Sequence, residues 1–84
     1  MKRDNKFYVI SFYRFIKINN KQHIKKLIDD YIKLISIRGT ILLANEGINA
    51  SISGKLYDLE ITIVKLKSIL KIRKLDVKIN QVSF

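Results

Sequence analysis

Residue types able to do covalent chemistry are scarce in this sequence of 84 residues. Cysteine is absent, which removes thiolate nucleophiles, disulfides and thiolate metal sites together. The one histidine, His23, stands beside lysines, and a catalytic base would need a nucleophile and an orienting partner, neither of which is visible. His23 reads as a surface residue. A zinc site needs several ligands of this kind, so no metal or other cofactor is expected, and no residue is assigned a catalytic role. The segment Asn45-Glu46-Gly47-Ile48-Asn49 is the first candidate for contact. Asn45, Glu46 and Asn49 could touch RNA or another domain, with Gly47 permitting close backbone approach. The competing reading is a plain hairpin turn in which Gly47 takes a positive φ and Asn45 or Asn49 bonds local backbone. For catalysis the turn reading is favoured, because Glu46 has no acid/base partner within the motif; for contact the two are balanced. The second candidate is the basic set Lys65, Lys67, Lys71, Arg73 and Lys74, with Arg38 toward a sheet edge. It could hold phosphates with salt-sensitive affinity. For any single lysine, a solvated position complementing a helix C-terminus is favoured.

The elements that position these residues follow from periodicity. Phe7 to Phe15 (FYVISFYRF) is aromatic and β-branched without a breaker, which predicts a strand. Asn19-Asn20 offers turn and N-cap chemistry. From Lys21 to about Ser36, Ile24, Leu27, Ile28, Tyr31, Ile32 and Ile35 share one helical face, opposite Lys25, Lys26, Asp29, Asp30 and Lys33. Ile37 to Ala44 predicts a second strand with Gly39 as a bulge or close-approach site, and Ile48 to Ser53 a third, paired with it as a hairpin. Ser53-Gly54 is expected to break that strand before a helix from Lys55 to about Lys71, carried by Leu56, Leu59, Ile63, Leu66 and Leu70. Leu75, Val77 and Ile79 alternate with Asp76, Lys78 and Asn80 in a last strand. The order βαββαβ predicts an α+β, ferredoxin-like sandwich: a four-stranded antiparallel sheet with both helices on one face. Tyr8, Ile10 and Phe12 are expected to face the helices, and Phe7, Ser11 and Tyr13 to face away with Asn49, Ser51 and Lys78. The reverse assignment is open because both faces of the first strand are apolar. Aromatics on an open sheet can stack bases or seat another domain, and domain packing is favoured. The tails, Met1 to Lys6 and Gln81 to Phe84, are expected to fray.

Composition sets the remaining bounds. Lys and Arg number 17 against 7 Asp and Glu, a formal charge of +10, which favours polyanions, nucleic acid before anionic lipid. Heavy use of Lys, Ile and Asn also fits compositional drift in an AT-rich genome, and charge alone does not separate the two. Apolar residues make up 48% of the chain, enough for one small packed domain. Apolar runs such as Ile41 to Ala44 fall far short of the roughly 20 residues of a membrane span, and no signal-peptide core follows Met1-Lys2-Arg3. The cytoplasm is the expected compartment, with no membrane partner.

The stretch Arg38 to Gly54, RGTILLANEGINASISG, resembles the KGTxLLAxEGINGTIxG signature of the N-terminal domain of the rhodanese-domain tRNA uridine hydroxylases, the TrhO or YceA-like family. Phe7 to Phe15 resembles that family's opening strand, and the likeness runs to the last strand. Ala50 and Ser51 replace the family's usual glycine and threonine. The resemblance implies a single N-terminal domain, 1–84, of a cytoplasmic enzyme family that makes 5-hydroxyuridine at the tRNA wobble position with oxygen. The family's reactive cysteine lies in a C-terminal rhodanese domain, and no position here corresponds to it. The chain is then expected to be non-catalytic, supporting tRNA binding or packing on the rhodanese domain, so tRNA and that domain are the implied partners. Alternatives are an acylphosphatase-like small hydrolase and a nonfunctional truncated remnant. The hydrolase would need a glycine-rich phosphate-cradling loop after the first strand, whereas Ile16 to Gln22 contains no glycine and Arg14 is its lone support.

Overall fold

The computed structural model describes residues 6–82. Six elements follow one another: β1 (Phe7–Phe15), α1 (Lys21–Ile32), β2 (Ile37–Ala44), β3 (Gly47–Lys55), α2 (Leu56–Leu70) and β4 (Lys78–Val82). The strands form one sheet in the order β2-β3-β1-β4, every neighbouring pair antiparallel. This is the ferredoxin-like, acylphosphatase-like α+β arrangement. Strand β1 takes a central place, paired with β3 on one edge and β4 on the other, and buries Ile10 and Phe12 on the helix face.

Register decides which side chains meet the helices. Ile10 opposes Ile52 and Phe12 opposes Ala50. These pairs lie on the helix face with Tyr8 and Ile48, as the alternation predicts. One core cluster joins Ile10, Ile37 and Ile52 to Leu59 of α2; the other joins Phe12, Ile18, Ile48 and Ala50 to Ile28 of α1 and to Leu66 and Leu70 of α2. Each of these large side chains contributes about 1.5–3 kcal/mol through burial. Thr62 is buried among them: its hydroxyl donates to the Asp58 carbonyl (2.7 Å), and the Tyr31 hydroxyl approaches it at 3.5 Å.

Several boundaries differ from expectation. Helix α1 stops at Ile32, and a turn closed by Leu34 N–H to Tyr31 O (2.9 Å) turns Leu34 out to solvent, so that Ile35 and Ile37 can reach the core. Leu27, expected on the packed face of α1, is exposed. Asn20 holds the N-cap position without a side-chain capping bond; its carbonyl accepts from Ile24 N–H at 3.0 Å. Ser53-Gly54 do not break β3, which runs on to Lys55. Gly54 is buried opposite Ile37, whose Cγ2 would lie 3.1 Å from an added Cβ, a tight fit that a larger side chain could meet only if Ile37 shifted. Strand β4 starts at Lys78 because Leu75 and Val77 pack into the core while the chain returns from α2 to the sheet. Gln81 and Val82 belong to that strand; of the tails, residues 1–5 and 83–84 lie outside the described residues.

Candidate nucleic-acid interface

With both helices on one face, the other face of the sheet is left open. Pairing places Phe7, Val9, Ser11, Tyr13 and Phe15 of β1 on it, beside Asn49, Ser51, Ser53 and Lys55 of β3, Arg38, Thr40 and Leu42 of β2, and Lys78 and Asn80 of β4. Tyr13 (53% exposed) and Phe15 (74%) meet edge to face, ring centroids 4.8 Å apart at 79°. Asn49 lies across from Tyr13 on one side and Leu42 on the other. At the far end of the face, Phe7, Arg38, Ser53 and Lys55 line an open cleft of about 820 Å³ with Ser36 and Ile37, and Asp58 of α2 forms its helix side.

Charge is distributed unevenly over the molecule. Of the 7 acidic residues, Asp4 lies outside the described residues. Asp29 and Asp30 are on α1, Asp58 and Glu60 on α2, Glu46 in the β2–β3 turn and Asp76 in the loop before β4. Among the described residues, none stands on the open face, whose ionic side chains are Arg38, Lys55 and Lys78.

The residues singled out in the sequence are not gathered at one place. Arg38 and Asn49 are on the open face, Arg38 toward the end where α2 begins. Asn45 and Glu46 form the two-residue turn at the opposite end. Lys71, Arg73 and Lys74, all exposed, follow α2 at that same end. Lys65 faces elsewhere, its ammonium 5.9 Å from the centre of the Tyr31 ring. The basic set therefore does not form a single patch with Arg38.

The turn itself owes its shape to the fold. Gly47 does not take a positive φ; that conformation belongs to Gly39 (φ 131°), where an added Cβ would collide with Ser51 O and Ile52 Cα across the strand pair. Gly47 is instead pressed against the Arg14 carbonyl of β1, which leaves no room for a Cβ. The close approach expected at Gly47 is thus to its own neighbouring strand. Ile16 N–H donates to Glu46 O (3.0 Å) and Ile18 N–H to Asn45 O (2.9 Å), fastening the turn to the loop after β1. Those two amides are therefore not available to cradle a phosphate, and Arg14 points to the helix face with its Nε buried and unpartnered. The geometry gives no support to the hydrolase alternative.

His23 is exposed on the first turn of α1. Among the described residues no group of His, Cys, Asp and Glu could hold a metal ion, and no helix is long and apolar enough to cross a membrane. Sequence reasoning missed Phe15 and Leu42 as members of the exposed patch. Extending the β1 alternation two residues beyond Tyr13 identifies Phe15, whereas Leu42 needs the β2–β3 register.

Residues 7–83 match the family described as the UPF0176 acylphosphatase like domain. The tRNA uridine(34) hydroxylase of Pelagibacter ubique (strain HTCC1062) is 50% identical over 70 residues, covering 83% of this chain and 23% of that protein. The tRNA uridine(34) hydroxylase of Anaplasma phagocytophilum (strain HZ) is 41% identical over 49 residues, covering 58% and 18%. The chain thus spans about a fifth of the length of these curated relatives. Among solved structures, the de novo designed protein Foldit4 superposes with a TM-score of 0.48 at 12% identity, over 95% of this chain and 99% of that one. By its match over nearly its whole length, together with the acylphosphatase-like topology, the chain belongs to the UPF0176 family as its acylphosphatase-like N-terminal domain.

Proposed function

We propose that this chain is the non-catalytic, tRNA-binding domain of a cytoplasmic tRNA uridine(34) hydroxylase-type protein. The likeness to relatives of that name, 50% identical over 70 residues in the Pelagibacter protein, carries the reading. The formal charge of +10 supports it, since Lys and Arg that neutralise phosphates supply most sequence-independent affinity for nucleic acid. The chain has no cysteine, so turnover in this reading, the oxygen-dependent formation of 5-hydroxyuridine at the wobble position, belongs to a rhodanese domain of the longer protein. The division of labour is binding here and chemistry there. The test is binding of the purified chain to an anticodon stem-loop and to an unrelated hairpin across a salt series. Preference for the stem-loop that survives moderate salt supports the reading. Equal binding that vanishes with salt reduces it to nonspecific charge.

A second role, packing on the rhodanese domain, is favoured by one feature. Tyr57 (73% exposed), Ile61 and Val64 recur along the outer side of α2 at helical spacing, an apolar stripe away from the open sheet face. This stripe is the surface proposed for that contact. Tyr57→Ser with Val64→Ser should leave RNA binding unchanged and weaken association with a separately expressed rhodanese domain; unchanged association removes this role.

A further inference from the structure

We propose that the open face of the sheet is a stacking platform for a single-stranded RNA segment, with Tyr13 and Phe15 receiving bases and Arg38, Lys55 and Lys78 receiving phosphates. The inference rests on the tRNA-binding reading and names the surface and the form of RNA it takes. Three observations carry it.

The first is aromatic placement. Tyr13 and Phe15 are alternate residues of a central strand, so they rise on the same side about 7 Å apart along it. Their ring centroids lie 4.8 Å apart with the planes at 79°, so bases lying on both rings cannot keep the parallel stack, about 3.4 Å per step, of a duplex strand. Paired bases also keep their faces inside the stack, whereas unpaired ones can lie on an aromatic ring. The edge-to-face contact holds both rings in place while more than half of each residue stays exposed.

The second is electrostatic. The face carries Arg38, Lys55 and Lys78 and no carboxylate among the described residues, although Asp and Glu occur on both helices, in the β2–β3 turn and in the loop before β4. A phosphate chain crossing it meets attraction along the sheet, and the carboxylate nearest to it among the described residues is Asp58, on the helix side of the cleft beside Arg38 and Lys55. A second copy of this chain would bring the same cations against their like, which disfavours self-association through this face.

The third is the polar lining. Ser11, Thr40 and Ser51 share one level of the sheet between Tyr13 and Arg38, Asn49 lies beside Tyr13, and Asn80 lies just beyond Lys78. Their short side chains offer donors and acceptors to base edges and riboses without blocking the surface. Asn49, across from Tyr13, is placed to hydrogen-bond the edge of a base stacked there.

The test uses the full 84-residue chain and fluorescence anisotropy with three labelled probes: a short uridine-containing single strand, the same sequence in a blunt duplex, and an anticodon stem-loop. Single strand and stem-loop should bind in preference to the duplex. Tyr13→Ala and Phe15→Ala should each weaken binding by about five- to 150-fold with an unchanged salt slope. Arg38→Ala, Lys55→Ala and Lys78→Ala should each lower the slope of log K against log salt by about 0.7. Tyr13→Trp should restore affinity and lose indole fluorescence on binding, which a purely structural role for the ring would not produce. The proposal is overturned, with the tRNA-binding reading intact, if the stem-loop binds the Tyr13→Ala/Phe15→Ala variant normally and loses affinity only when Lys71, Arg73 and Lys74 are neutralised. If the unaltered chain binds no RNA, both fall, and a rhodanese domain shielding Tyr13 and Phe15 would identify the face as a protein contact. Circular dichroism confirms that each variant is folded.

Discussion

The two faces of the sheet come from the same strands and differ in almost every physical respect. Toward the helices, Ile10, Ile48 and Ile52 are almost wholly buried, and their neighbours are apolar. One residue along in either direction, Ser11, Asn49, Ser51 and Ser53 face outward with Tyr13 and Phe15. Stability is concentrated on the first face. The second is built from residues the fold does not need there, and its aromatics add exposed apolar area that a folded domain gains nothing by keeping. Beyond the Tyr13–Phe15 contact these side chains add little to the core, and on a sheet face that carries no carboxylate among the described residues they are where a binding role is best placed.

The largest expected effect tests the inner face. Ile10→Ala should destabilise the domain by about 2–5 kcal/mol in urea unfolding, because Ile10 is fully buried and its site cannot collapse between Ile52 and Leu59. Phe15→Ala removes a larger side chain from the open face and should cost about 0.5–1.5 kcal/mol in the same experiment, the worth of its edge contact with Tyr13. If the two losses are similar, the open face is part of the folding core and the comparison fails. Gly39→Ala should cost about 1–3 kcal/mol, since φ of 131° and the facing Ser51 carbonyl leave no unstrained place for a methyl group. A neutral outcome would mean that β2 can shift on β3, and with it the register that sets both faces.

Smaller effects sharpen the contrast at the helices. Lys71 ends α2 in the left-handed conformation (φ 57°), with Ile72 N–H bonded to Lys67 O at 3.0 Å. Lys71→Gly should therefore raise stability by about 0.5–1 kcal/mol by relieving that strain. Thermal unfolding reads the change directly. The Lys25–Asp29 pair (2.7 Å) is well exposed, and a double-mutant cycle should return only about 0.3–0.5 kcal/mol.

Much of the architecture was legible because it is written in local period. The three- and four-residue recurrence in α1 and α2 and the alternation in β3 report which side of each element is apolar, and those patterns need no partner to be read. Thr62 shows the limit. It lies three residues after Leu59 and four before Leu66, on the buried side, yet a hydroxyl does not register as apolar; its bond to the Asp58 carbonyl is what makes burial tolerable. Gly39, Gly47 and Gly54 show the same limit for backbone. At Gly39 and Gly47 a neighbouring strand leaves no room for a Cβ, at Gly54 the fit to Ile37 is merely tight, and only at Gly39 is positive φ part of the reason. The candidate site was legible in parts: Arg38 and Asn49 fall on the open face, while Lys71, Arg73 and Lys74 belong to the end of the molecule beside the Asn45-Glu46 turn.

The sequence by itself determined the element order, the absence of thiol chemistry, the excess of positive charge and the family signature between Arg38 and Gly54, because each depends on residue identity and spacing along the chain alone. Tertiary structure decided where that charge is unopposed, which aromatics share a surface, and which amides after β1 are consumed by the turn. Those properties arise from strand register and from the way the crossovers bring distant segments to one end of the sheet. A one-residue change in register would exchange the two faces while leaving every local pattern as it is.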